Sequence, residues 1–216
     1  MASDDPAEDP TAKARRVWDA YAPRYDRAIR LLERLQFRGG REWVCSQARG
    51  EVLEVAVGTG LNLPFYPAGV RLTGVDLSPE MLTAARARAA ELGRDADLRE
   101  ADAEALPFPD ASFDTVVCTL AMCAVPDERA AIGEMRRVLR PGGRLLLLDH
   151  IGSSWWPIWA GQRLLEMVTV RTAGEHQTRR PLPVLLAAGF AIEESERLKA
   201  GTVERVAAVK PDSNIH

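Results

Sequence analysis

From Lys13 to Phe37 the apolar residues Val17, Trp18, Tyr21, Tyr25, Ile29, Leu32 and Leu35 recur mostly three or four apart, which predicts helix. Pro23 lies inside that stretch and predicts a split or kink that gives two helices. Gly39-Gly40 marks a break, with a further short helix through Trp43 and Val44. Beyond it, short apolar runs alternate with helical patterns. Glu51–Val57, Arg71–Asp76, Asp97–Glu100, Phe113–Leu120 and Arg144–Asp149 read as strands, and Pro79–Leu92 and Pro126–Leu139 as helices. Ser78 is placed to cap the helix that has Pro79 in its first turn, and Gly93 to stop it. Pro141-Gly142-Gly143 reads as the turn before the fifth strand. The run Leu145–Leu148 is uninterrupted, as expected where helices cover both faces of a sheet. Strands alternating with helices imply parallel β-α-β units with right-handed crossovers, an α/β fold. After Ile151 the rhythm changes. Trp155, Trp156 and Trp159 lead into a helix reaching about Val170. A second helix starts at Pro181, and strands follow at Phe190–Leu198 and Val203–Lys210. The short link Lys199–Thr202 predicts a hairpin and therefore an antiparallel last strand.

Composition narrows the function classes. A chain of 216 residues with 46% apolar and 27% charged residues fits one globular domain with an added N-terminal segment. A net charge of −3 and a pI near 5.7 weigh against nucleic acid as a partner. Cys45, Cys118 and Cys123 are odd in number and widely spaced, and no C-x-x-C pair occurs, so neither a disulfide framework nor a metal site is expected. Met1–Thr11, with four acids and two prolines, reads as a disordered tail. The start lacks a basic, apolar leader, and no apolar run approaches the ~18 residues of a membrane span. A cytoplasmic protein is the expectation.

Three segments carry candidate chemistry. Glu51 to Gly60 runs from a strand into a tight turn with Gly58, Thr59 and Gly60, and such a turn at the carboxyl end of a first strand lets backbone approach a ligand closely. A plain β-turn would look similar. Asp76 ends the second strand, where a carboxylate can accept hydrogen bonds from ribose hydroxyls, the other reading being a cap for the helix that begins near Pro79. Asp102 follows the third strand and could accept from an exocyclic amine such as that of adenine, or simply face solvent in a loop. A dinucleotide fingerprint would need a third glycine near position 63, where this chain has Leu63 and then Pro64, which weakens a nicotinamide oxidoreductase reading.

The motifs V-L-E-V-x-x-G-T-G, G-V-D-L-S-P-E-M-L, A-D-A-E-x-L-P-F-x-D-x-S-F-D and V-L-R-P-G-G-R-L together resemble the class I S-adenosylmethionine-dependent methyltransferases, nearest the methyltransferase-11 type that includes ubiquinone- and menaquinone-biosynthesis enzymes. The likeness covers about Glu51 to Ile151. The continuation L-N-L-P-F-Y-P is similar to bacterial phospholipid N-methyltransferases and to methyltransferase-like thiol methyltransferases. The resemblance implies a Rossmann-like, mostly parallel seven-stranded sheet flanked by helices, its last strand antiparallel. It implies a tail at 1–11, an N-terminal helical lid at 12–48 and a cofactor domain at 49–210. Glu54, Ala56, Gly58, Thr59, Gly60 and Asn62 would hold the methionine part of S-adenosyl-L-methionine. Asp76 would bind the ribose, Leu77 would pack against the adenine, Asp102 and Ala103 would meet the adenine edge, and Met81 would also contact the cofactor. Thr119 and Leu120 would line the sulfonium end, and Tyr21 and Tyr25 would close over the cofactor. Ala56 departs from the family's usual glycine, which leaves the backbone approach less free.

Methyl transfer needs alignment and water exclusion, and a base only where the acceptor must lose a proton. The candidates are His150, just after the leucine strand, and His176, in a loop over the site, with Asp149 orienting either; backbone-bonded and solvent-loop histidines are the alternatives. Cys118 and Cys123 read as packing residues. Trp155, Trp156 and Trp159 wall an apolar acceptor pocket, pack a helix, or touch a membrane surface. The arginines of the first helix are expected to form a solvated face paired with Asp19, Asp26 and Glu33. The expected function is methylation of a small apolar thiol, amine or hydroxyl compound. The alternatives are a phospholipid amine N-methyltransferase in peripheral membrane contact, and a non-catalytic cofactor-binding protein. A nucleic-acid methyltransferase is opposed by the acidic pI and by the absence of an Asn/Asp-Pro-Pro-aromatic segment.

Overall fold

Each apolar run forms a strand, and the strands join in one sheet. The computed structural model describes residues 9–37 and 39–212. The strands are β1 (Glu51–Val55), β2 (Arg71–Asp76), β3 (Asp97–Glu100), β4 (Phe113–Thr119), β5 (Leu139–His150), β6 (Ala191–Leu198) and β7 (Val203–Val209), in the spatial order β3-β2-β1-β4-β5-β7-β6. β1 to β5 pair in parallel, whereas β7 is antiparallel to both β5 and β6. The helices are α1 (Pro10–Leu35), α2 (Gly40–Cys45), α3 (Pro79–Glu91), α4 (Glu128–Val138), α5 (Trp156–Ala173) and α6 (Pro181–Ala187). This is the Rossmann-like, mostly parallel seven-stranded sheet expected from the motifs.

The four leucines of β5 serve two cores by alternation. Leu145 and Leu147 point with Leu53, Val55 and Val116 toward Ile132 and Met135 of α4 and Leu185 of α6. Leu146 and Leu148 point with Val52 and Val117 toward Val44 of α2 and Leu82 and Ala85 of α3. Gly40 is required where it stands, because a Cβ there would come within 2.9 Å of the Leu148 side chain.

Several boundaries differ from the sequence expectation. α1 is one helix through Pro23, not two. The missing N–H costs one hydrogen bond, but side chains anchor the helix on both sides of it, Asp19 to Ser78 and Asp26 to Thr59. α1 already includes Pro10 and Thr11, while residues 1–8 of the expected tail lie outside the described residues. β1 stops at Val55 because Ala56 takes φ +56°. α4 begins after Asp127, whose side chain accepts from the N–H groups of Arg129 and Ala130, and not at Pro126. β5 begins at Leu139, since the Pro141-Gly142-Gly143 stretch stays in the ladder: the Gly142 N–H donates to the Lys210 carbonyl at 2.8 Å. α5 runs on to Ala173, where Gly174 at φ +72° ends it.

Candidate functional site

The chain lays down β1, β2 and β3 in one direction, then returns to place β4 on the other side of β1. Ligands of open α/β sheets bind where the strand order reverses, at the carboxyl edge. A cleft of about 860 Å³, counting its open mouth, lies there, walled by the residues that follow β1 to β4 and roofed by Ala14, Trp18 and Tyr25 of α1.

The predicted residues divide into three groups. Tyr25, Ala56, Gly58, Thr59, Asp76, Leu77, Met81, Asp102, Ala103, Thr119 and Leu120 all line the cleft. Ala56 and Leu120 do so with φ +56° and +54°, a conformation that costs a residue with a Cβ about 1–2 kcal/mol. Gly58 needs its freedom, with φ +56° and open space where a Cβ would stand. Asp76 accepts from the N–H groups of Gly58 and Ser78 at 2.8 and 2.9 Å. Ser78, not Asp76, caps α3, its hydroxyl accepting from the Met81 N–H. A carboxylate can accept about four hydrogen bonds, so Asp76 keeps capacity for hydroxyls. Burial pushes its carboxyl up to about 6, against the N–H bonds of Ser78 and Gly58. Asp102 uses Oδ1 on the Glu104 N–H at 2.9 Å.

A second group supports the cleft from outside its lining. Alternation along β1 puts Glu54 on the same face as Val52, beneath the cleft. There its carboxylate accepts from Asn62 Nδ2 at 2.7 Å and from the Tyr66 hydroxyl at 2.9 Å. Burial pushes Glu54 up to about 7, with the Tyr66 and Asn62 bonds and the nearby Arg41 charge pulling it down. Gly60 packs the turn against α3: a Cβ there would meet Leu63 at 2.8 Å and the Ala85 backbone at 3.3 Å. Tyr21 stands outside the roof, edge-on to Trp18 and Tyr25 at centroid distances of 5.9 and 6.0 Å.

The third group, His150, His176 and Asp149, sits beside the cleft, behind its wall at 121–126. Asp149 is buried and accepts from the N–H groups of Met122 and His150, both at 2.8 Å. Burial raises its carboxyl above the usual range. Cys123, Asp149 and His150 bring one side-chain N, O or S atom each to within 4.8 Å of one another. The His176 N–H donates to the Cys123 carbonyl at 2.8 Å. Burial and the Arg179 charge lower the His176 imidazole. Burial drives the Cys118 and Cys123 thiols well up, so both stay protonated and inert.

Sequence reasoning missed Arg41. It is 7% exposed and lines the cleft. One amino group donates to Asn62 Oδ1 at 2.8 Å and to the Thr119 hydroxyl at 3.0 Å, and Nε donates to Glu33 of α1 at 2.6 Å. The available signal was an arginine one residue past Gly40 in a short segment whose Val44 and Cys45 are fully buried. The expected pairing of α1's arginines with its own acids is also corrected. Asp19 binds Ser78, Asp26 binds Thr59 and Arg88, and Glu33 binds Arg41. The acids face the domain, so they hold α1 down and do not neutralise its outer face.

The fold and this cleft resemble those of the S-adenosylmethionine-dependent methyltransferase class. Residues 53–147, a little under half of the chain, match the methyltransferase domain family. It is 43% identical over 118 residues to a phosphatidylethanolamine N-methyltransferase of Cereibacter sphaeroides, a match spanning 54% of this chain and 58% of that protein. It is 39% identical over 143 residues to a demethylmenaquinone methyltransferase of Thermus thermophilus, spanning 62% of this chain and 64% of that one. The chain thus spans about six-tenths of the length of these relatives. The fold is shared with a geranyl diphosphate C-methyltransferase of Streptomyces coelicolor, solved with S-adenosyl-L-homocysteine, at a TM-score of 0.72 and 16% identity over 95% of this chain and 99% of that one.

Proposed function

We propose that the chain binds S-adenosyl-L-methionine in this cleft and transfers its methyl group to a small apolar acceptor bearing a thiol, amine or hydroxyl. The charge layout of the cleft carries the reading. Among its lining residues the charged side chains are Asp76, Asp102 and Arg41. Two carboxylates suit ribose hydroxyls and an adenine amine, and one guanidinium suits an amino-acid carboxylate. The remaining wall, including Leu120, Ala121, Val125 and Pro126, is apolar and fits an apolar acceptor. Leu63, where a dinucleotide turn needs glycine, is buried under Gly60.

The cofactor supplies an electrophilic methyl on a sulfonium. The chain's part is to align the acceptor and keep water out, which α1 does by roofing the cleft with Trp18 and Tyr25. For an acceptor that must lose a proton we assign the base role to His150, which lies next to Asp149 behind the 121–126 wall, so such an acceptor must reach past that wall.

Titration calorimetry with S-adenosyl-L-methionine and, separately, NADH tests the cofactor, and a panel of thiols, amines and phenols read by S-adenosyl-L-homocysteine release tests the reaction. Binding of NADH alone would overturn the reading. Asp76→Ala is expected to weaken cofactor binding by about 1–3 kcal/mol through loss of charged hydrogen bonds; unchanged affinity in the same calorimeter would remove Asp76 from the ribose role. His150→Ala is expected to lower turnover by about 10²-fold or more with cofactor affinity unchanged. If turnover holds at every pH for an acceptor that must lose a proton, His150 is not the base.

A further inference from the structure

A helix on a domain surface ordinarily turns its apolar stripe inward. α5 does the reverse. Its inward stripe is polar: Gln162, Glu166 and Thr169, spaced four and three apart. Gln162 donates to the Ile151 carbonyl at 3.0 Å and accepts from the Ser153 N–H at 2.8 Å. Glu166, the buried residue of α5, accepts from the N–H and hydroxyl of Thr178 at 2.7 and 2.6 Å. Thr169 donates its hydroxyl to the Glu175 carbonyl at 2.8 Å. At 100° per residue, Trp156, Leu164, Met167 and Val168 fall on the opposite half of the helix. They are 75%, 71%, 61% and 58% exposed.

The charge around this face is positive in excess. Glu166 is the acid of α5 and is buried, with Arg163 paired to it at 2.9 Å, while Arg163 and Arg171 are both exposed. α1 adjoins the far end of α5, where the Lys13 ammonium donates to the Arg171 carbonyl at 3.0 Å. Farther along α1, at about 1.5 Å per residue from Lys13, Arg24, Arg27, Arg30 and Arg34 extend the positive charge: they are exposed and make no ion pair among the described residues. A second copy of a face with this cationic excess would repel the first. An anionic bilayer surface complements it, with tryptophan rings at the headgroup level and arginines at the phosphates.

We propose that α5 is a bilayer-docking face, by which the chain lies on a membrane containing anionic phospholipid, its Trp156, Leu164, Met167 and Val168 side chains entering the headgroup–acyl boundary. This placement does not depend on which acceptor atom is methylated.

The test uses the full chain with vesicles of phosphatidylcholine alone or mixed with phosphatidylglycerol. The expected result is co-sedimentation and a blue shift of tryptophan emission on the mixed vesicles, both weakened by salt. The triple variant Leu164→Ser, Met167→Ser, Val168→Ser should partition about ten-fold less or worse, with helical circular dichroism retained. Arg163→Gln with Arg171→Gln should lose the preference for phosphatidylglycerol. Wild-type chain that stays in the supernatant with both vesicle types overturns the proposal. So does light scattering that shows a dimer which the serine variant dissociates. Cofactor affinity, measured on the same samples without vesicles, separates failure of docking from failure of the methyltransferase reading.

Discussion

Arg41→Met is expected to cost about 3–5 kcal/mol of folding stability, the range for breaking a buried ion pair from one side. Arg41 joins three elements: Glu33 on α1, Asn62 after the glycine turn, and Thr119 at the end of β4. Burial alone would lower its pKa, yet the charge of Glu33 and its hydrogen bond hold it above the ordinary arginine value. The surroundings therefore favour the charged form more than burial opposes it. Methionine in its place leaves Glu54, 1% exposed, without its nearby cation. Glu33 is less constrained, since about a quarter of its side chain meets solvent, so Glu33→Gln should cost only about 1 kcal/mol. The coupling gives a sharper check. Glu54→Gln added to Arg41→Met removes the stranded charge, so the double variant should be more stable than Arg41→Met alone. Urea unfolding read by circular dichroism measures all three. A loss below about 1 kcal/mol for Arg41→Met would show that water already satisfies the site.

The same residues show what can be read from a sequence of this kind. Period and turn chemistry are local, and they place β2, β3 and α3 with Ser78 as cap to the residue or within one of it. The uninterrupted leucines of β5 announce a two-faced sheet. Ala56 was legible only as a departure: its φ of +56° explains both why a glycine is usual there and why β1 ends two residues earlier than its apolar run. Glu54 was partly legible, since simple alternation with Val52 puts it on the α2–α3 face, away from a ligand at the strand ends. The Arg41 cluster was not. It joins positions 21 and 78 residues apart, and no local pattern records such pairings. The acids of α1 failed for the same reason, because i,i+4 logic assigned them to neighbouring arginines while Asp26 reaches Arg88 and Asp19 reaches Ser78.

Glu54 also sets the expected pH dependence of the unliganded chain. Its carboxyl has an ordinary pKa of 4.5 and, in the fold, one of about 7, chiefly through burial. Below pH 4.5 it is protonated in both states, and above pH 7 it is ionised in both, so the folded state binds the extra proton between those values. Stability must then fall as pH rises across that window, by about 3 kcal/mol from this group alone, and level off above it. Asp76 acts in the same direction over the range from 3.8 to about 6. Arg-bonded Asp97 and Glu134 act oppositely, since their carboxyls are held below the ordinary value and their contribution is lost only in stronger acid. Glu54→Gln keeps an acceptor for Asn62 or Tyr66 and removes the ionisation. It should match the wild-type chain near pH 4.5, exceed it above pH 7, and show a shallower decline between. Urea midpoints for both chains from pH 4.5 to 8 measure the difference. Parallel curves would mean that the Glu54 carboxyl titrates alike in the folded and unfolded chain, its burial penalty offset in full by Arg41 and the Tyr66 and Asn62 hydrogen bonds.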